Sequence, residues 1–237
     1  MCGIFGGSAE LISKHAEQLL RHRGPDQQGR VVVTAKSGRA VVMGQTRLSV
    51  VYKEDVPTPM TKGEAVVAFN GEIYNWHELR ETLESKGHRF ETPTDTEVVL
   101  AAYLEWGPAC LARFNGMFAI AIWHDDTLFL ARDRLGKKPL FYTKDGRGIG
   151  FASELKALQE LDFCEVPICT ALEFYFDAFT PFSNVKSLRG GEYLLYDANT
   201  NEAEVHRWWT FPAQTSEITD PDKAVDEFID LFSDACR

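Results

Sequence analysis

The sequence predicts an α+β fold, with stacked antiparallel sheets flanked by helices. Strand-like and helix-like segments fall in separate blocks, which is the pattern of a layered α+β domain. Short apolar runs closed by Gly, Asn or Asp recur at both ends of the chain, and two helical patterns lie side by side in the middle. From residue 117 to residue 153 the chain is again rich in strand signals.

In order, residues 2–7 read as a strand and residues 10–22 as an amphipathic helix. Leu11, Ile12, Ala16, Leu19 and Leu20 stand at helical spacing there, and Gly24-Pro25-Asp26 stops the helix. Residues 31–33 and 40–43 pair around Ser37-Gly38. Residues 65–69, Asn70-Gly71 and residues 72–74 have the strand, turn, strand pattern of a hairpin. Residues 76–86 form a helix ended by Gly87, and Thr94 or Asp95 caps another that runs to Trp106. Ser153-Glu154 starts a short helix, residues 169–179 read as a further one, and residues 191–196 and 204–209 form a last hairpin. Residues 212–221 are polar and linker-like. The helix from Asp222 towards Cys236 carries an apolar stripe (Val225, Phe228, Ile229, Phe232) that a downstream element or a partner should cover.

Composition narrows the function classes. The chain has 237 residues, 44% hydrophobic and 12% aromatic, which describes a folded globular protein. Its net charge is -10, and the one basic cluster is Arg134-Leu135-Gly136-Lys137-Lys138, so no nucleic-acid surface is expected. Apolar runs such as residues 117–123 fall far short of the ~20 residues of a membrane span. With no signal-peptide pattern at the start, a cytoplasmic location is expected. Five cysteines (Cys2, Cys110, Cys164, Cys169, Cys236) include no CxxC pair, and the six histidines have no ligand spacing, so no metal site and reduced thiols are expected. Cys110, Cys164 and Cys236 read as core filling.

Cys2, in MCGIFGG, admits two readings. It is either a small buried hydrophobe in a first strand or a nucleophile. Initiator methionine is trimmed when the second residue is small, and Cys2 would then carry a thiol and a free α-amine together. That amine, titrating near ~8, could take the thiol proton through a water. Gly3, Gly6 and Gly7 fit close backbone or ligand approach as well as a bulge. Asn70-Gly71 fits a hairpin turn or, alternatively, an oxyanion hole made of the Asn70 amide and the Gly71 N–H. Arg47 is either a strand-edge charge or a fork for a carboxylate, and Asp95 either a helix cap or the acceptor of an ammonium. Together these groups suit hydrolysis of the side-chain amide of an amino acid. Residues 21–26 and 132–139, with alternating charge signs, suit internal ion-pair networks.

MCGIFGG, RHRGPDQQG, RLSV, FNGEIYN, TDTEVVL, FNGMFAIAIW, LARDRLGKKPLFY and FASELKAL occur in that order. In this the chain closely resembles the amino-terminal glutaminase domain of glutamine-dependent asparagine synthetases over residues 1 to about 160, and more loosely beyond. The resemblance implies a class II glutamine amidotransferase, a four-layer αββα sandwich of the N-terminal-nucleophile hydrolase type. It implies Cys2 as nucleophile, Asn70 and Gly71 as oxyanion hole, and Arg47 as the grip on the glutamine α-carboxylate. Glu72 and Asp95 lie near its α-amine, and Leu48, Ser49, Val50 and Val51 complete the pocket. Two departures stand out. The family has an Asp after its RLS run and then Gln-Pro, where this chain has Val51-Tyr52-Lys53-Glu54-Asp55 and then Thr58-Pro59. The SGGLDS pyrophosphate-binding motif of the family's synthetase domain does not occur.

The resemblance therefore divides the chain into an amidotransferase domain, residues 1–211, and a linker with a first helix, residues 212–237, leading towards a synthetase domain. No cofactor is expected in this part, since ATP and Mg belong to the synthetase domain. Expected partners are L-glutamine and a synthetase domain or protein that accepts ammonia, with a homodimer left open. The competing reading is a glutamine-binding regulatory or interaction module that docks on a synthetase and turns over little.

Overall fold

The computed structural model describes residues 1–50, 52–53, 55–159, 161–162, 180–213 and 220–236. Twelve strands among them form two six-stranded sheets, and every described pairing is antiparallel. The strands are β1 (Gly3–Ser8), β2 (Gln27–Thr34), β3 (Ala40–Arg47), β4 (Met60–Lys62), β5 (Ala65–Ile73) and β6 (Gly116–His124), followed by β7 (Thr127–Arg132), β8 (Phe141–Asp145), β9 (Gly148–Ala152), β10 (Val185–Ser187), β11 (Glu192–Asp197) and β12 (Glu202–Arg207). The helices are α1 (Ala16–Leu20), α2 (Trp76–Ser85), α3 (Asp95–Trp106) and α4 (Pro221–Ala235). One sheet runs β10-β8-β9-β1-β3-β2 and the other β12-β11-β7-β6-β5-β4.

Three apolar layers define the stacking. Ile4, Val41, Met43 and Phe151 of the first sheet meet Val66, Ala68, Ala121, Leu130 and Leu194 of the second between the sheets. On the outer face of the first sheet, Phe5 and Val42 pack with Ile12, Ala16 and Leu20 around α1. On the outer face of the second, Val67, Phe69 and Ile120 pack with Leu79 and Leu83 of α2 and with Val98, Val99 and Ala102 of α3. The result is the αββα sandwich that the resemblance implied. Alternate residues of β1, β3 and β5 face alternate layers, as a pleat with a two-residue period requires.

Several sequence readings need correction. Asn70 and Gly71 do not turn the chain. They lie inside β5, paired with Ala119 and Phe118 of β6. A two-residue hairpin loop of that type needs positive φ at both residues, and neither has it. The distant partner β6 overrides the local turn signal. Gly71 is required for another reason: a Cβ there would stand 2.3 Å from the Met117 carbonyl oxygen and 2.7 Å from Phe118 Cα.

The helix expected over residues 10–22 is interrupted. A 3-10 turn covers Ala9–Leu11, and the α-helix is confined to Ala16–Leu20. Between them the backbone pairs with residues 157–159 instead: Ser13 N donates to Ala157 O at 2.9 Å and Gln159 N to Leu11 O at 3.0 Å. After Glu154 the chain makes a 3-10 turn over Leu155–Ala157. The helix read over residues 169–179 lies outside the described residues, as do Cys164 and Cys169. Cys110 is buried as expected, but Cys236 is exposed beyond the end of α4 and fills no core. No residue of α4 is buried, and Val225, Phe228, Ile229 and Phe232 are exposed.

Candidate active site

Cys2 lies where the first strand runs out of its sheet. Gly3 pairs with Thr46 of β3, so Cys2 extends one residue past the ladder, beside Arg47 and Leu48. The Leu48 N–H donates to Cys2 Sγ at 3.4 Å, and Sγ lies 3.8 Å from the Leu48 carbonyl oxygen. On the main chain, Arg23 Nε donates to the Cys2 carbonyl at 3.0 Å, and Ile4 exchanges hydrogen bonds with Ser153 at 3.0 and 2.8 Å.

Arg23 is in turn held by Glu154, Nη1 to Oε1 at 2.9 Å, with its side chain 9% exposed. His22 and Lys156 meet the same carboxylate at 2.9 and 3.0 Å. Burial works against the Glu154 charge, but hydrogen bonds from Arg23, Lys156 and His22 outweigh it and hold the carboxyl at about 2. RHRGPD and FASEL, far apart in sequence, thus meet beneath the nucleophile candidate. This is the ion-pair network expected of residues 21–26. The stretch 132–139 is organised differently. The buried Asp133 carboxylate accepts from the backbone N–H groups of Phe118, Leu135, Lys137 and Lys138, at 2.9–3.1 Å.

The rest of RHRGPD shapes the loop after β3. Gly24 packs so closely on β3 that a Cβ would lie 2.4 Å from the Thr46 carbonyl. Asp26 Oδ2 accepts from the Ser49 N–H at 2.7 Å, and its own N–H donates to Arg47 O at 3.2 Å. The two-residue period that puts Ile4, Met43 and Ala68 between the sheets carries Cys2, Gln45, Arg47, Asn70 and Glu72 to the same layer, at one end of the sandwich.

A cleft opens there. Cys2, Gln45, Arg47, Leu48, Val50, Tyr52, Phe69, Gly71, Glu72, Trp76 and the segment Pro93-Thr94-Asp95-Thr96 line it. Of the residues singled out in the sequence, Cys2, Arg47, Leu48, Val50, Gly71, Glu72 and Asp95 are therefore brought together. Ser49 is turned towards Asp26 and does not line the cleft, and Val51 lies outside the described residues. Asn70 is 1% exposed and lies behind the lining, and neither atom of its side-chain amide has a hydrogen-bond partner among the described residues. Thr94 caps α3, accepting from Glu97 N at 3.4 Å. Asp95 is the first residue of the helix rather than its cap, and its Oδ2 accepts from the Ile73 N–H at 3.1 Å.

The electrostatics follow from burial. Burial pushes the Cys2 thiol up; the Leu48 N–H, the chain's terminal ammonium and Arg47 oppose it, and Glu72 adds to it. Glu72 is also pushed up by burial, with Lys138 and Arg47 pulling it back. Asp95 is pushed up to about 7 by burial and by the neighbouring Glu72 charge, against hydrogen bonds from Ile73 and the first turn of α3. The Arg47 guanidinium is held by Gln27 Oε1 and the Tyr52 carbonyl at the cleft. Gln45, Tyr52, Trp76 and Thr96 escaped the sequence reading. Gln45 carried a signal, since it precedes Arg47 by two residues and so shares its face.

The sequence profile of the glutamine amidotransferase domain matches residues 1–209. The chain belongs to that family. Among curated members, asparagine synthetase [glutamine-hydrolyzing] 3 of Bacillus subtilis is 35% identical, covering 99% of this chain and 41% of its own length. Asparagine synthetase B [glutamine-hydrolyzing] of Escherichia coli is 33% identical over 93% of this chain and 38% of its own length. The chain thus spans about two fifths of the length of these relatives. In fold, this glutamine amidotransferase domain resembles the glutamine phosphoribosylpyrophosphate amidotransferase of Bacillus subtilis, with a TM-score of 0.61 at 18% identity over 88% of this chain and 50% of that one. At that identity the likeness is one of fold. Among the described residues, no helix is long and apolar enough to cross a membrane, and no group of three or more His, Cys, Asp and Glu side chains could hold a metal ion.

Proposed function

We propose that the chain hydrolyses L-glutamine to glutamate and ammonia, as the glutaminase part of an enzyme of the asparagine synthetase type. One observation carries the reading: a thiol, a guanidinium, a glycine and two carboxylates line a single cleft, at Cys2, Arg47, Gly71, Glu72 and Asp95. Arg47 binds the α-carboxylate of glutamine and Asp95, with Glu72, binds its α-ammonium. This aims the side-chain amide at Cys2.

Removal of Met1, which is exposed, frees the Cys2 α-amine to take the thiol proton. The thiolate, met by the Leu48 N–H, attacks the amide carbon. The Gly71 N–H and the Asn70 amide stabilise the oxyanion. The amine returns its proton to the departing ammonia, and water then cleaves the thioester to release glutamate. The unpartnered Asn70 amide supports this assignment, because a buried amide without partners is costly unless a ligand completes it. The proposed catalytic unit is residues 1–211. Ammonia passes from it to a synthetase domain or protein, where ATP and Mg belong; support comes from the named relatives, which are more than twice as long as the matched region.

The test is glutamate release from glutamine by the wild type and by Cys2→Ala, with intact mass reporting the state of Met1. The expected result is a loss of roughly 10⁴-fold or more in Cys2→Ala. Equal release by both proteins would sink the thiolate mechanism. Glutamine binding without glutamate release by the wild type would make the chain a binding module.

A further inference from the structure

The geometry points to Gln45 as a positioning residue that fixes the Gly71 oxyanion donor relative to Cys2, by taking the place of a neighbouring strand beside β5. The inference rests on the glutaminase reading above and adds a residue to its machinery.

The short edge strand β4 pairs with β5 only over residues 65–67. Beyond that point no strand among the described residues lies on that side of β5, and its backbone groups there find other partners or face the cleft. The groups of Phe69 go to one side chain. Gln45 Nε2 donates to the Phe69 carbonyl at 2.9 Å, and the Phe69 N–H donates to Gln45 Oε1 at 3.1 Å. A primary amide offers a donor and an acceptor in the spacing of a peptide unit, so Gln45 reproduces the paired bonds of a neighbouring strand. Four residues further on, the Ile73 N–H goes to Asp95 Oδ2 at 3.1 Å.

Gly71 lies midway between them. Its β6 partner, Phe118, spends its N–H on Asp133 Oδ2 at 3.1 Å and its carbonyl on the Asp133 N–H at 2.9 Å. Gly71 and Phe118 therefore form a non-hydrogen-bonded pair, and the Gly71 N–H turns to the same side as those of Phe69 and Ile73. With Gln45 taking one neighbour and Asp95 the other, the Gly71 N–H is the donor presented to the cleft.

Gln45 also joins the two halves of the site. It stands on β3, two residues before Arg47 and three before the Leu48 N–H that meets Cys2 Sγ, while Phe69 stands two residues before Gly71. Both bonds are buried, and Gln45 is 4% exposed. The amide thus sets the spacing between the strand that holds the thiol and the strand that holds the oxyanion donors.

The experiment measures kcat and KM for glutamine in Gln45→Leu and Gln45→Glu across the pH range of the wild type. Gln45→Leu should lower kcat by roughly 10–100-fold and change KM little, because the binding groups Arg47 and Asp95 are anchored elsewhere. Gln45→Glu should behave like it at alkaline pH, where a carboxylate can accept from the Phe69 N–H but cannot donate to the Phe69 carbonyl. On acidification the introduced carboxyl gains a proton, the donor returns, and the ratio of Gln45→Glu to wild-type kcat should rise about tenfold. That rescue within one polypeptide separates positioning from misfolding. A ratio that stays flat with pH, or a Gln45→Leu kcat equal to wild type, overturns the role of Gln45. A wild type that releases no glutamate overturns the glutaminase reading, and this inference with it.

Discussion

Asp95 combines two demands that pull in opposite directions. In the role proposed for it, its carboxyl must be ionised to hold an ammonium, yet burial and the Glu72 charge raise it to about 7. An acid raised in the folded state binds more protons folded than unfolded, so ionising it costs stability as pH rises from the usual carboxylate range, near ~4, through about 7. Asp95→Asn should therefore raise Tm relative to wild type, and by more at about pH 8 than at about pH 5. The same substitution should remove the pH dependence of glutamine binding. The wild-type KM should fall as pH rises through about 7, where the carboxylate forms, and the Asp95→Asn KM should stay high and flat. Thermal unfolding and KM measured over the same buffers check both. The candidate site was legible where reactive or charged residues stand in distinctive motifs, Cys2 in MCGIFGG and Arg47 in RLSV. Gln45 was not, since its place on the face of Arg47 says only which layer it enters, and its bonds are to a strand far along the chain.

At the scale of elements, β5 shows why a local signal can mislead. Asn70-Gly71 is among the strongest short-range turn signals, yet the chain from Val66 to Ile73 pairs without a break with β6. Pairing along the whole strand outweighs the preference of two residues. The helices that formed as read, α2 and α3, have an explicit stop or cap, Gly87 and Gly107 in positive φ and Thr94 at an N-terminus. The helix that shrank, α1, loses its first turns to backbone pairing with residues 157–159, a contact invisible in a linear reading. The glycine in β5 gives the sharpest test at this scale. Gly71→Ala should destabilise the fold by about 1–3 kcal/mol, since its methyl would press on the β6 backbone and shift it. Denaturant unfolding measures it, and glutamate release should fall with it.

For the whole molecule, the Arg23–Glu154 pair fastens the first sheet's starting strand to the turn that follows β9. The Glu154 carboxyl is depressed in the folded state, so its contribution is present above the ordinary carboxylate range and disappears as pH falls through about 2. Glu154→Gln leaves Arg23 buried without its counter-charge and should cost about 1–3 kcal/mol near neutral pH, discounted for the partial exposure of the pair. The difference from wild type should shrink as pH falls below about 4, and acid unfolding curves of the two proteins should converge. The layered architecture itself was legible from the separation of strand and helix blocks. The order of strands within each sheet was not, because it depends on pairings between segments remote in the chain, β1 with β9 above all.

One of those pairings has a consequence in time. β1 sits in the interior of its sheet between β3 and β9, and β9 ends at Ala152. The strand that follows Cys2 therefore cannot have both of its neighbours until residue 152 has been made. Long-range closure of this kind is slow and leaves an apolar strand waiting for its partners. The site proposed around Cys2 thus waits on a segment made much later, and nascent fragments ending before residue 148 should carry a Cys2 more accessible to a thiol reagent than the folded chain does.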